Sequence, residues 1–596
     1  MRQSSSILSL TDIANKAWWA SVITLAYLVH GVHTGSPIVP RWAAIYALAI
    51  GCLIWLAYHA IKGRKLTLSV SEICVLGFLA YCALTLAWSS DWRDGLLTIE
   101  GMFALIIIYM GFRRLEPQTQ RQIIAVSSVM AVAFGLVFGW GHQEIYGGFG
   151  NENFQAEWFL IVLPFLIWTW FSGRHGFLMM RLAALVLTPI TLYFLLFINL
   201  SDSKYVALGA TLFLVCIWMW RRIGFLWAGI VFMVPINIAI FSGWLTSPVI
   251  QKSIAHRLEI AINTGLMWLE KPIFGQGLGS FNFEYGRFQE AHLQWFPDMG
   301  TVLYPSSVFA GAAHMEALQL AAETGIIGLA AAVVLIAILL RASLIVREPG
   351  DLIAAAIVSL VIAAGLSCIG FPLQNPAAVM AVVLAAGIVM EKEQACIIMP
   401  ALTTRKIVPV FSIGFALVLT ASMSWHYAAE RKFAIVNLYI EKNEPTALAA
   451  NIQTHQLFPF EPRYRRQLVM TAGALLKNAH GRVQITDAAA DEAYRISLTT
   501  GHLPAIKLVR LEYLLNTGRW EKRKEEVEEI LAFLKQHSSL QPSVWIADGT
   551  YGIFTNDGVR ALKAVMQGME LPEARYHASH FEKILAGLNI ESETIQ

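Results

Sequence analysis

Charge is scarce in this chain. Only 14% of its 596 residues are Asp, Glu, Lys or Arg, and 56% are apolar. A soluble globular protein carries roughly 25% charged residues. Mean hydropathy is +0.55. One soluble core cannot hide that much apolar surface, so the bilayer must solvate much of it. An excess of one sign is missing too. The net charge of +3 is too small to argue for nucleic acid, and no nucleic-acid partner is expected. The six cysteines (Cys52, Cys74, Cys82, Cys216, Cys368 and Cys396) lie in or beside apolar runs. They show neither metal-ligand spacing nor a disulfide framework, and read as small apolar fillers. The N-terminus lacks a small-residue cleavage site after a short apolar core, so the first apolar run reads as a retained span.

What is abundant is apolar runs of helical length. A bilayer core needs about 20 apolar residues per helix, and about thirteen stretches qualify. They lie near 17–33, 42–61, 70–88, 96–112, 123–140, 156–173, 182–200, 205–220, 225–243, 318–340, 352–370, 377–390 and 407–424. Alternate loops collect the basic residues: Lys62/Arg64/Lys65, Arg113/Arg114/Arg121, Arg174/Arg181, Arg221/Arg222, Arg341/Arg347 and Lys392/Arg405/Lys406. The intervening short loops hold only Arg41, Arg93 and Lys204. Lys and Arg accumulate on the cytoplasmic side of membrane helices. The N-terminus is therefore expected inside, with the long loop 244–317 and the region after the last span outside.

The expected fold is all-α. Residues 1–424 form a polytopic membrane bundle, and residues 425–596 form a helical extracytoplasmic domain. In the latter, Leu508, Leu511, Leu514 and Leu515, then Val527, Ile530, Leu531 and Leu534, recur at helical spacing. With a Gly between them, the two helices resemble a tetratricopeptide-like hairpin. The intervening EKRKEEVEE run reads as a solvated helix face with i,i+4 pairing.

Four stretches on the outer side carry chemistry, because polar residues at membrane depth invite a functional reading. In GGFGNENFQAEWF (147–159), Asn151, Asn153, Gln155 and Glu157 precede an apolar helix; amides there can bind sugar hydroxyls, although an Asn there can also cap the helix. In NLSDSKYVALG (199–209), Lys204 can bind phosphate or can snorkel to water. Residues 253–270 form an amphipathic helix with Arg257 in its first turns. Pro272 ends it, and Gly275, Gly277 and Gly279 permit a sharp path. No strand precedes these glycines, so they are not a dinucleotide fingerprint, and no cofactor is expected. In AAHMEALQLAAETGIIGLA (312–330), His314 opens a helix. Glu316, Gln319 and Glu323 share one stripe of it, with His314 on the opposite side. A histidine titrating near neutrality suits proton transfer. Companion ligands at zinc spacing are lacking, so no metal is expected.

Together the last two stretches resemble the O-antigen ligase and polymerase superfamily. The residues that match are Arg257-Leu258, Trp268, Pro272, Gly275, Gly277 and Phe281, then His314, Leu318, Gln319, Glu323, Gly325 and Gly328. GNENF resembles that family's Gly-Asn-x-Asn-Phe segment, and FPLQNP (371–376), with Gln374, its late Phe-Pro-Leu outer loop. The resemblance spans about 145–390 and implies a membrane-helical fold of the GT-C type. The implied donor is a polyprenyl-pyrophosphate-linked glycan. Carried over, Arg257 and Lys204 become pyrophosphate ligands, and His314 and Glu323 catalytic candidates. Asn151, Asn153, Gln155, Gln319 and Gln374 become substrate-binding amides. The chain departs from the pattern at Lys204, where the family has Arg after Ser, and at Met315, where it commonly has Asn.

A pyrophosphate leaving group needs positive charge as the anomeric C–O bond breaks. An acceptor hydroxyl needs a base within hydrogen-bond reach. The expected partners are thus the lipid-linked donor, a hydroxyl acceptor on a lipid core, glycan or protein, and membrane lipids. Protein O-oligosaccharyltransferases tend to carry Glu-Tyr-Pro-Leu late and Gln-x-Asn early. This chain has Gly370-Phe371-Pro372-Leu373 and Asn151-Glu152-Asn153, which favours an O-antigen ligase or polysaccharide polymerase of the bacterial cytoplasmic membrane. A lipid-linked glycan flippase would favour internal repeats and broken mid-span helices, and no repeat is found.

Overall fold

The computed structural model describes residues 18–25, 38–63, 66–141, 152–171, 178–195, 248–288, 312–345, 351–368, 370–400, 403–441, 446–465, 467–468, 487–498, 503–537, 541–571 and 574–588. It is an all-α membrane protein. The apolar runs become α1 (Ile38–Ile61), α2 (Val70–Thr85), α3 (Trp92–Arg113), α4 (Pro117–Gly141), α5 (Glu152–Phe171) and α6 (Leu178–Tyr193). There follow α7 (Pro248–Glu270), α8 (Phe281–Phe288), α9 (Glu316–Ile345), α10 (Asp351–Ser367), α11 (Pro376–Val389) and α12 (Val408–Glu441).

Among the described residues seven helices are long and apolar enough to cross a membrane, and Leu178–Tyr193, Leu352–Ser367 and Pro376–Val389 are shorter apolar helices. These coincide with the expected spans. The expected spans 205–220 and 225–243 lie outside the described residues, as does all of 17–33 except 18–25. The packed centre joins α1, α3, α4, α5, α10 and α11 through buried residues such as Phe112, Trp158, Phe159, Ile362 and Met380. By contrast α9 presents Val333, Val334, Ile336 and Leu340 outward. A helix that leaves large apolar side chains uncovered at this length is using lipid as solvent.

One end of the bundle is tied by charge. Ser69 and Glu72 form a capping box at the start of α2. Arg114 donates to Glu72 Oε1 at 2.5 Å and to the Thr67 carbonyl at 2.7 Å. Arg113 donates to Ser69 Oγ and to the carbonyls of Met390 and Glu393. A two-stranded antiparallel ribbon, β1 (Thr67–Ser69) with β2 (Ala395–Ile398), closes this end. The expectation that every cysteine fills apolar space needs correcting here, because Cys396, in β2, and Cys368 are exposed. The reason is position: both follow the ends of apolar helices, where the chain turns to solvent.

The other end carries the remaining helical elements. The expected domain boundary at 424/425 falls inside α12, which runs unbroken to Glu441. Beyond it Arg465 pairs with Asp91 at 2.7 Å, both buried. Phe460 packs edge-on against Trp92. Asp91 and Trp92 stand at the start of α3, opposite Arg113. Further on, α13 (Thr446–Leu457) and α14 (Asp487–Ser497) precede α15 (Leu503–Asn516) and α16 (Lys524–His537), followed by α17 (Pro542–Phe554), α18 (Gly558–Met569) and α19 (Ala578–Gly587). The expected hairpin is α15 and α16. Gly518 turns it in the left-handed region at φ 71°, and Leu511, Leu514, Val527, Ile530, Leu531 and Leu534 are its buried seam. The charged run 521–529, expected as a solvated face, pairs across helices instead. Arg523 joins Asp491 at 2.7 Å as well as Glu526 at 3.1 Å, Glu526 also joins Arg510 at 2.8 Å, and Glu528 joins Arg560 at 2.7 Å.

Candidate functional site

At the end of the bundle opposite Arg113, α9 is broken by Gly325, whose φ of 68° and ψ of −169° no helix contains. Such a break strands backbone groups, which inside a membrane must find partners from neighbouring protein. The glycine-bearing loop after α7 supplies most of them. Gln276 N donates to the Ala322 carbonyl at 2.9 Å and Gly277 N to the Glu323 carbonyl at 2.8 Å. Ile326 N donates to the Pro272 carbonyl at 2.9 Å, and the Tyr81 hydroxyl to the Thr324 carbonyl at 2.7 Å. Gly275 and Gly325 pass backbone against backbone: a Cβ on Gly275 would lie 2.5 Å from Gly325 N.

Glu323 belongs to this splice. Its carboxylate accepts from Gly279 N and from Phe281 N, each at 3.2 Å. Gln319 Nε2 approaches Glu323 Oε1 at 3.4 Å, and Gln319 Oε1 accepts from Ala313 N at 3.1 Å and from Gln374 Nε2 at 3.2 Å. Gln319 and Gln374 therefore hold one another, and through them the 312–314 turn meets the 370–375 loop. Glu316 makes a second tie. It accepts from Leu373 N and from Ser367 Oγ, each at 2.7 Å.

His314 stands in this turn, two residues before α9 and not at its first position. Its φ is 55°, a conformation a non-glycine residue seldom adopts. Its ring meets Phe371 edge-on at 4.8 Å, and Phe371 meets Phe154 of α5 at 5.1 Å. Asn375 Nδ2 donates to the Phe154 carbonyl at 3.0 Å. Burial, then the charge of Arg257, then His256, push the His314 imidazole down to about 4. The expectation of a histidine titrating near neutrality is thereby corrected: a half-enclosed ring beside a guanidinium resists a proton.

Half-buried Arg257 is within electrostatic reach of both His314 and Glu157. The fold thus brings Arg257, His314, Gln319 and Gln374 to one end of the bundle, with the first turns of α5. Asn153 is half-buried and Gln155 buried there. Lys204 and Asn151 lie outside the described residues. Two further residues stand here: Glu157, grouped in the sequence with Asn151, Asn153 and Gln155, and His256, not singled out from the sequence. Buried Glu157 lies one turn after Phe154. His256 precedes Arg257, its Nδ1 3.6 Å from Oε2 of buried Glu259. The His-Arg-Leu-Glu spacing on a helix, which sets His256 and Glu259 on one face, was the available signal for the second.

A polytopic all-α membrane protein with a polar site at one end of its bundle is the class this architecture defines. Within it, residues 182–333 match the sequence model of the O-antigen ligase family, a stretch that contains both Arg257 and His314. No curated protein matches the chain.

Proposed function

We propose that this protein moves a glycan from a polyprenyl-pyrophosphate carrier to a hydroxyl acceptor at the outer face of the bacterial cytoplasmic membrane. It acts as an O-antigen ligase or polysaccharide polymerase on a GT-C-type fold. The observation that carries this reading is the convergence of Arg257 and His314, within the O-antigen ligase match, at one end of the bundle. The acceptor oxygen attacks the anomeric carbon while the bond to the pyrophosphate oxygen breaks. Arg257, with Lys204 as its companion from the family resemblance, neutralises the charge that develops on the leaving pyrophosphate. His314, uncharged at neutral pH, takes the acceptor proton. Glu323 serves as a positioning residue, because its carboxylate is engaged by the amides of the glycine loop. The Lys/Arg bias of the loops supports an outer location for this site.

The test is transfer by purified full-length protein, with donor extracted from a deletion strain in which it accumulates. A charge-assisted contact is worth about 1.5–3 kcal/mol. Arg257→Ala should therefore weaken donor binding about ten- to a hundredfold. His314→Gln keeps a donor and an acceptor but not the basicity, and should lose about 10²–10⁴-fold in turnover with donor binding intact. Full donor affinity and turnover in Arg257→Ala would move the phosphate site elsewhere.

A further inference from the structure

Glu157 is the polar group the mechanism above leaves unused. It sits on α5, in the span Asn153–Phe171, and only 3% of it is exposed. Its Oε2 is buried with no hydrogen-bond partner among the described residues. An acid buried at membrane depth without a partner is unfavourable enough that a sequence retains it for a reason. Among the described residues no hydrogen bond ties it, unlike Glu316 and Glu323, whose carboxylates accept from loop amides.

The surroundings pack closely around this carboxylate. A Cβ at Gly370 would lie 2.6 Å from Glu157 Oε1. Any side chain at Gly370 would have to displace that oxygen. Phe154 lies three residues before Glu157 and so shares its helix face. Phe154, Phe371 and His314 form a run of rings beside it. Arg257 is within electrostatic reach. Aromatic rings take the C–H faces of a sugar, and a carboxylate takes its hydroxyl hydrogens.

We infer that Glu157, Phe154 and Phe371 form a sugar subsite, in which Glu157 accepts hydrogen bonds from ring hydroxyls of the residue next to the pyrophosphate. This rests on the glycan-transfer reading above and adds to it the group that reads the sugar. Glu157 is then a specificity-determining residue, and Arg257 reads only the phosphates.

The two lipid probes that separate these roles are polyprenyl pyrophosphate without sugar and the lipid-linked glycan extracted from a deletion strain. Binding of each is measured on full-length protein in nanodiscs. The parent should prefer the glycosylated lipid. Glu157→Gln, which keeps the shape, should weaken the glycosylated lipid about ten- to a hundredfold and leave the sugar-free lipid unchanged. Gly370→Ala should act in the same direction by displacing the carboxylate. Arg257→Ala should weaken both lipids. Equal loss of both lipids in Glu157→Gln would show that Glu157 acts through Arg257 and would overturn the subsite. Unchanged binding of the glycosylated lipid, in a variant whose melting temperature matches the parent, would overturn it as well. A parent that binds neither lipid would remove the donor reading itself, which keeps the two failures apart.

Discussion

His314 is placed by strain and by contact together. A φ of 55° at a non-glycine residue is unfavourable by of order 1–3 kcal/mol and persists only when neighbours over-determine it. Here the neighbours are the Phe371 ring and the Gln319–Ala313 bond one residue away. The consequence for pH follows from sign. With its pKa lowered to about 4 by burial and by Arg257 and His256, His314 stays uncharged down to that pH in the free protein. Its folded form binds fewer protons than the unfolded chain between about pH 6.5 and 4, so it subtracts stability as pH falls through that window. Donor pyrophosphate would offset the Arg257 charge and let the imidazole recover basicity. The acid limb of kcat/KM for the donor, which reports the free protein, is therefore expected near pH 4. The limb of kcat, which reports the bound state, should lie higher. Both limbs should vanish in His314→Gln. A kcat/KM limb at 6.5 in the parent would mean that the free site does not hold His314 as described.

At the scale of elements, the broken α9 and the glycine loop act as one joint. Gly325 occupies a region of φ and ψ that is essentially glycine's alone. Its Cβ would also stand 2.6 Å from Phe274 N. Gly325→Ala should lower stability by at least about 1–3 kcal/mol, read as an earlier melt in detergent. Ala at Gly265, where a Cβ meets nothing within 4 Å, should not. Equal melting of the two variants would show that the break is not needed. This joint was only half legible in the sequence. The glycines were read as giving the backbone freedom, which they do, but their partner could not be seen, because no local pattern tells that a second segment is kinked. The same limit hid the mutual contacts of Gln319, Gln374 and Glu323. The family resemblance made Gln319 and Gln374 substrate-binding candidates and Glu323 a catalytic one, and the structure adds that their side chains bond to each other and to loop amides. Arg257 and His314, the residues proposed to act, were picked out by motif order. Glu157 was visible only as one more polar residue before an apolar helix, since its burial without a hydrogen bond among the described residues and its closeness to Gly370 exist only in three dimensions.

At the scale of the whole molecule, sidedness is the open consequence. The spans were readable because apolar length is a local property. Which end faces out depends on a weak sum over loops. The structure gives that sum two clear ends. The Arg113, Arg114 and Glu72 cluster and the β1–β2 ribbon lie at one end, and His314, the glycine loop and the Asp91–Arg465 pair at the other. Arg465 fixes the post-span helices to the same end as the site, so a single orientation decides both. Two positions report it. Cys396 is a native, exposed thiol in β2, and Val559 in α18 is 80% exposed. Two single-cysteine proteins, one keeping Cys396 and one carrying Val559→Cys, are treated in intact spheroplasts with a membrane-impermeant maleimide. Val559→Cys should react at once, and Cys396 only after lysis. The reverse pattern would put the site and the post-span helices in the cytoplasm. A donor used outside would then be ruled out, because Arg257 and His314 could not reach it.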